Sequence, residues 1–135
     1  MPKVTPLFSL CFACAAGPPP RVSEPEALAR EDSAAASEAR ERGDLEAALA
    51  LATRALVRRL ARCGFECPAP AYSFVQLGDL RLHQGHPEWA AQSYWRALSI
   101  LEPHAATHAR WIAVTRRRLD RVCAATDAPA CRPRP

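Results

Sequence analysis

A glycine that ends one helix, followed at once by a signal that opens the next, occurs twice in this chain. No other sequence feature constrains the fold as much. Arg42-Gly43-Asp44-Leu45-Glu46-Ala47-Ala48 and Gln84-Gly85-His86-Pro87-Glu88-Trp89-Ala90 run in step, each with an alanine five residues after the glycine. Glycine adopts the left-handed backbone that closes a helix at little steric cost. Asp44 is a helix N-cap type, and Pro87 is tolerated in a first turn because the amide it lacks would have no partner there. Each stretch therefore folds the chain back within a few residues and lays two helices side by side. No segment alternates apolar and polar residues as a strand does, so the expected class is all-α, helix packed on helix.

The apolar spacing predicts about five helices. The first opens on Ser23-Glu24-Pro25-Glu26, a capping box with proline in the first turn, and runs to Arg42 with a thin apolar face of Leu28, Ala35 and Ala39. In the second, Leu45, Leu49, Ala52, Leu56 and Leu60 recur at helical spacing beside Ala48 and Ala55, and Gly64 stops it. Residues 63–70 are a turn-rich connection with two prolines. The third helix is expected over residues 72–84, with Phe74, Leu77 and Leu80 inward. The fourth runs from Pro87 to Pro103 with Trp89, Ala90, Tyr94, Ala97, Leu98 and Leu101 on its apolar face. The fifth, over about residues 104–125, turns Trp111, Thr115, Leu119 and Val122 inward beside Ile112, with Arg116, Arg117, Arg118 and Arg121 on the other side.

Counted from Ala71, the second of these helix pairs resembles a tetratricopeptide (TPR) repeat. Phe74 takes the large aromatic position, Leu77-Gly78 the Leu-Gly pair, Gly85 the turn, and Ala90 the small packing position. Tyr94, Ala97 and Pro103 follow, and Arg81 stands where the family usually has Tyr. The first pair keeps Gly43, Ala48, Ala52 and Ala55, with Asp32 and Ala35 at the positions of large residues. The two turns lie 42 residues apart, against a family period of about 34, and the excess sits in residues 63–70. The resemblance implies two antiparallel helix pairs and a C-terminal capping helix, a fragment of an α-solenoid. It also implies a non-catalytic protein–protein interaction module with Arg40, Tyr72, Val75, Asp79, His83 and Arg116 lining its groove. These positions do not carry the Lys/Asn pattern that clamps a C-terminal carboxylate in chaperone-binding members, so the expected partner is a protein or peptide of unassigned identity.

Residues 1–16 read differently from the rest. Lys3 is followed by an apolar run, Pro6 to Ala16, broken only by Ser9. Eleven residues rise about 16 Å as a helix, half of a bilayer core, so no transmembrane helix is expected there. The run fits a secretory signal, with small residues at Ala13-Cys14-Ala15 and Cys14-Ala15-Ala16 for cleavage. Leu10-Cys11-Phe12-Ala13-Cys14 also resembles a bacterial lipobox, which makes Cys14 the candidate lipid-attachment site and implies membrane association through an anchor. Residues 17–23 form a Pro-rich spacer, residues 24–125 the helical domain, and residues 126–135 a Pro-rich tail. The expected location is the periplasm or an outer-membrane-anchored position in a bacterial envelope. Free secretion is an alternative, as is the cytoplasm if the N-terminus is not a signal.

Beyond Cys11 and Cys14 the chain holds Cys63, Cys67, Cys123 and Cys131, an even number that predicts two disulfides in an oxidising compartment. Three connectivities are open, and local pairing, Cys63 with Cys67 and Cys123 with Cys131, is favoured because each pair sits at a helix end. A four-cysteine zinc site competes, but only Cys63-x₃-Cys67 has zinc spacing. His104 and His108 share a helix face with no third ligand at metal spacing, so no metal and no cofactor are expected. The net charge of +4 is mild and no basic run has interleaved aromatics, which argues against nucleic acid. No nucleophile motif or Gly-rich phosphate loop occurs. Asp79 and His83, at i and i+4, are the one acid–base pairing to weigh, and an exposed salt bridge or hydrogen bond is the expected role. The alternative function is that of a structural accessory subunit of an envelope assembly, making contact through the basic side of the last helix.

Overall fold

The computed structural model describes residue 2 and residues 21–132. The expected signal, the candidate lipid site Cys14 and most of the Pro-rich spacer lie outside the described residues. Among the described residues every regular element is helical. In order these are α1 (Glu24–Glu41), α2 (Leu45–Cys63), α3 (Ala69–His83), α4 (Pro87–Leu101) and α5 (Ala105–Ala125), with 3-10 turns at Glu102–His104 and Pro129–Cys131. α1 packs on α2 and α3 on α4, each pair joined by a short turn. α2 also meets α3, and α5 lies along α4.

The two glycine turns are the same structure. Gly43 has φ 79° and Gly85 φ 80°. At the first, the Gly43 and Asp44 amides donate to the carbonyls of Arg40 and Ala39, both at 2.9 Å; at the second, Gly85 and His86 donate to Leu82 and Arg81, again at 2.9 Å. This paired arrangement satisfies carbonyls that a helix C-terminus would otherwise leave without partners. Asp44 caps α2 by accepting from the Ala47 amide at 3.1 Å.

The core falls into two parts. One, between α1, α2 and α3, is built on Ala36, Ala39, Ala48, Ala52 and Leu80. The other, between α3, α4 and α5, is built on larger residues including Phe74, Tyr94, Leu98, Leu101 and Ile112. Gly78 lies against the ring of Tyr94, which is fully buried.

Several local expectations are corrected. Ser23 makes no side-chain cap bond; its carbonyl accepts from the Glu26 and Ala27 amides instead. The Glu26 carboxylate, which a capping box would direct back to residue 23, lies 3.3 Å from Arg59 and 3.6 Å from Arg30. A charge-assisted pair outcompetes a neutral cap. The inward face of α1 is Ala29, Asp32, Ala36 and Ala39, not Leu28 and Ala35, and Leu28 is 36% exposed. α3 starts at Ala69 rather than at 72, with Pro70 taken into its first turn. Trp89 is 47% exposed and Trp111 41% exposed, so neither is a core residue. Inside α5 the inward stripe is Ile112, Thr115, Leu119 and Val122. His108 interrupts this helix with φ −122° and ψ 18°, ahead of that stripe.

Cys63 and Cys67 are paired, as are Cys123 and Cys131, with Cα atoms 5.9 and 5.2 Å apart. These pairings are compatible with an oxidising, exported location. The second pair holds the last 3-10 turn against α4, where the Trp95 indole N–H donates to the Ala130 carbonyl. No helix among the described residues is long and apolar enough to cross a membrane.

Candidate functional site

α1, α3 and α5 enclose an open cleft of about 370 Å³. Its floor is α3, because α3 carries buried residues on the side facing α4 and half-buried ones on the side facing α1. Tyr72, Val75 and Asp79 line it at helical spacing, and Arg40 of α1 stands across from them. The hollow continues past Asp79 and Arg40 to Leu82 and His83. Five of the six groove residues read from sequence, Arg40, Tyr72, Val75, Asp79 and His83, therefore share one continuous depression. Val75 contributes little open surface, being buried.

Arg116 does not join them. Its guanidinium reaches Glu102 at 2.9 Å, and it lines a separate hollow with Ala105 and Ile112. Arg118 occupies the cleft instead, with its Nε 3.3 Å from an Asp79 oxygen. Two positions along a helix turn a side chain by about 200°, so an error of two residues exchanges the two faces. Trp111 is the other cleft residue that helical spacing alone misplaces, since it falls on the expected inward stripe. It stands seven positions from Arg118, a spacing that puts both on one face. Its ring meets Tyr72 edge-on at 4.7 Å.

The polar wall of the cleft is built at the α1–α3 contact. Gln76 donates to the Ser33 carbonyl at 2.7 Å and to the Ser37 hydroxyl at 3.2 Å. Arg59 of α2, itself buried, donates to the hydroxyls of Ser33 at 3.1 Å and Ser73 at 2.7 Å and pairs with Glu26. Burial of a guanidinium is tolerable only with such partners. Behind it, Asp32 is held by Arg54 and Arg58, with Nε distances of 3.0 and 2.9 Å. The Arg54 hydrogen bond, against the opposing effect of burial, holds the Asp32 carboxyl below the ordinary carboxylate range. These links attach α1 to the rest of the domain where its alanine face supplies little apolar area.

Asp79 is not paired with His83. One of its oxygens accepts from the Tyr94 hydroxyl at 2.6 Å and is the same atom that Arg118 approaches. Burial, and after it the Asp79 hydrogen bond, pushes the Tyr94 phenol well above its ordinary value. Tyr72 is likewise raised, mainly by burial. Arg40 has no hydrogen-bond or ion-pair partner among the described residues.

His104 and His108 lie beside this cleft rather than in it, with ring centroids 6.1 Å apart. His104 bonds the Glu66 carbonyl at 3.0 Å, and His108 bonds Thr107 at 2.7 Å. Among the described residues no three His, Cys, Asp or Glu side chains gather as a metal site. Comparisons with protein-family models, with curated proteins and with solved structures found no match to this chain.

Proposed function

We propose that this chain is a non-catalytic protein–protein interaction module of a bacterial cell envelope, tetratricopeptide-like in its two helix pairs and capping α5, with the α1–α3–α5 cleft as its binding surface. The observation that carries the reading is the pair of matching glycine turns, which stack two helix hairpins so that α1 and α3 border an open cleft. The serine hydroxyls of the cleft are occupied by Arg59 and Gln76, and its one lining carboxylate by Tyr94 and Arg118. That arrangement favours recognition over proton transfer, which needs a base aimed at a reacting group. The paired cysteines favour a location outside the reducing cytosol.

The alternative of an accessory subunit docking through the basic side of α5 has less support. Of its four arginines, Arg116 is taken by Glu102 and Arg118 by Asp79. Arg117 and Arg121 are left as exposed cations.

Co-purification from envelope fractions of the native host separates the two. Tyr72→Ala and His83→Ala should deplete the partners recovered with the wild-type chain, and Arg117→Glu with Arg121→Glu should not. The reverse pattern would move the contact to α5.

A further inference from the structure

The geometry points to one class of occupant for the cleft: an extended segment of a partner protein carrying an aromatic or large aliphatic side chain and, four residues away, an acidic side chain. The inference rests on the reading of the cleft as a peptide groove and adds the chemistry of what enters it.

Length comes first. From Tyr72 to His83 the α3 floor advances about 16 Å at 1.5 Å per residue, which matches about five residues of extended chain at 3.3 Å each. Successive side chains of such a segment alternate, so residues i and i+4 point the same way about 13 Å apart. Tyr72 and Asp79, like Trp111 and Arg118, are seven positions apart, about 10.5 Å along their helices, so an i, i+4 pair spans from the rings to the cations with about 3 Å left to the reach of the Glu and Arg side chains. At one end the Tyr72 and Trp111 rings meet edge-on, with Trp111 41% exposed beside a half-buried Tyr72. They offer apolar surface whose covering would be favourable.

The other end carries unbalanced charge. Three guanidinium groups line the cleft, from Arg40, Arg59 and Arg118. Arg59 is balanced by Glu26 and Arg118 by Asp79, while Arg40 has no partner among the described residues. An acidic group placed between Arg40 and Arg118 would meet two cations against one shared carboxylate. Guanidinium forks favour carboxylates for this purpose.

Two observations narrow the source of the acid. The cleft does not close behind Arg40 but runs on to Leu82 and His83, both exposed, so a bound chain can continue past the cations. This suits a side chain within a segment better than a chain end. Self-occupation by the N-terminal segment has no charge to offer, because residues 1–23 contain no Asp or Glu, and residues 128–135 contain none either.

The test is fluorescence anisotropy with the full oxidised chain and labelled, acetylated and amidated heptapeptides. The probes are Ser-Phe-Ala-Ser-Ala-Glu-Ser, its reversed order, each with Gln in place of Glu, and the Gln peptides again with a free C-terminal carboxylate. At about 50 mM salt one of the two orders should bind about tenfold more tightly with Glu than with Gln, a gap that narrows at about 300 mM. Arg40→Glu and, as the milder variant, Arg40→Ala should remove the gap, the Glu peptide losing more affinity than the Gln peptide. Tyr72→Ala or Trp111→Ala should weaken the Glu and Gln peptides alike. Equal affinity for Glu and Gln peptides that still depends on Tyr72 would overturn the acidic preference and leave the groove reading standing. Binding insensitive to every one of these variants, or no binding, would overturn both. Tighter binding of a peptide that lacks Glu but ends in a free carboxylate would assign the cations to a chain end and overturn the side-chain proposal.

Discussion

Gly78 and Tyr94 are in direct contact, and a methyl group at position 78 would lie 2.5 Å from Cε1 of the Tyr94 ring. Tyr94 cannot yield easily. It is fully buried, and its hydroxyl is anchored 2.6 Å from Asp79. The contact sets how closely α3 and α4 approach, and it also positions the Asp79 carboxylate at the cleft.

Gly78→Ala is therefore expected to destabilise the domain by about 3 kcal/mol, at the upper end of overpacking costs. The gain in helix propensity from Gly to Ala, about 1 kcal/mol, opposes this and does not cancel it. Tyr94→Phe, which removes only the hydroxyl, should cost about 1 kcal/mol. Urea unfolding of Gly78→Ala, of Tyr94→Leu and of the two combined measures the coupling. The double variant should lose less than the sum of its parts, because the smaller side chain makes room for the methyl group. Additive losses would mean that the contact is not what fixes the helix separation.

Arg59 offers a second test, because it is a buried cation held by Glu26, Ser33 and Ser73. Arg59→Met alone leaves two hydroxyls without their donor and the Glu26 carboxylate with only its longer contacts to Arg30 and Arg62, at 3.6 and 3.7 Å, and should cost about 3 kcal/mol. Adding Glu26→Leu removes the under-paired charge and should restore at least half of that loss, since well-packed apolar replacements of buried ion pairs are often neutral. A double variant as unstable as Arg59→Met would show that the serine contacts, not the ion pair, carry the energy.

The parts of the fold legible from sequence are those with a local cause. Gly43 and Gly85 require a backbone that other residues resist, so the turns can be placed to the residue. Tyr94, Ala97, Leu98 and Leu101 follow a helical spacing within one strongly patterned segment, α4. The inward face of α1 is not legible, because its buried position 32 is an aspartate, and only the arginines of a different helix explain why it is inside. Trp111, Arg116 and Arg118 defeat the spacing for another reason. Trp111 stands one position before Ile112, at the edge of the buried stripe, and Arg116 and Arg118 flank it on opposite sides, so apolar spacing alone does not say which edge faces the cleft. Five of the six expected groove positions fall on the cleft because four of them lie on α3, whose register the Gly turn fixes, and the fifth, Arg40, precedes the other such turn.

The Cys123–Cys131 pair closes a loop of few residues, for which the chain-entropy account gives about 2–3 kcal/mol. It also holds Ala128 in a buried position and Ala130 against Trp95. Cys123→Ser with Cys131→Ser should lower stability by about that amount, and it should also free the last turn from α4. In a chain with Trp89→Phe and Trp111→Phe, the emission of the remaining Trp95 should shift to the red on removing or reducing this pair. An unchanged spectrum would mean that the turn stays docked without its covalent link.

Asp32 gives the pH dependence. Arg54 foremost, then Arg58, hold its carboxyl below the ordinary value of 3.8, while burial works the other way. The folded chain therefore keeps a carboxylate at pH values where the unfolded chain has already bound a proton. The stabilisation is complete above the unfolded-state value and is lost as the pH falls through the folded-state value, below 3.8. Arg54 and Arg58 are partly exposed, so solvent screening reduces the contribution to about 1 kcal/mol. Asp32→Asn should lower the urea midpoint at about pH 6, where the carboxylate is fully formed, and the gap to wild type should close towards about pH 2.5. Other carboxylates titrate in both chains and cancel in the difference. A gap of the same size at both pH values would show that the Asp32→Asn chain loses packing or geometry rather than charge, and the two arginines would then not be what draws position 32 inside.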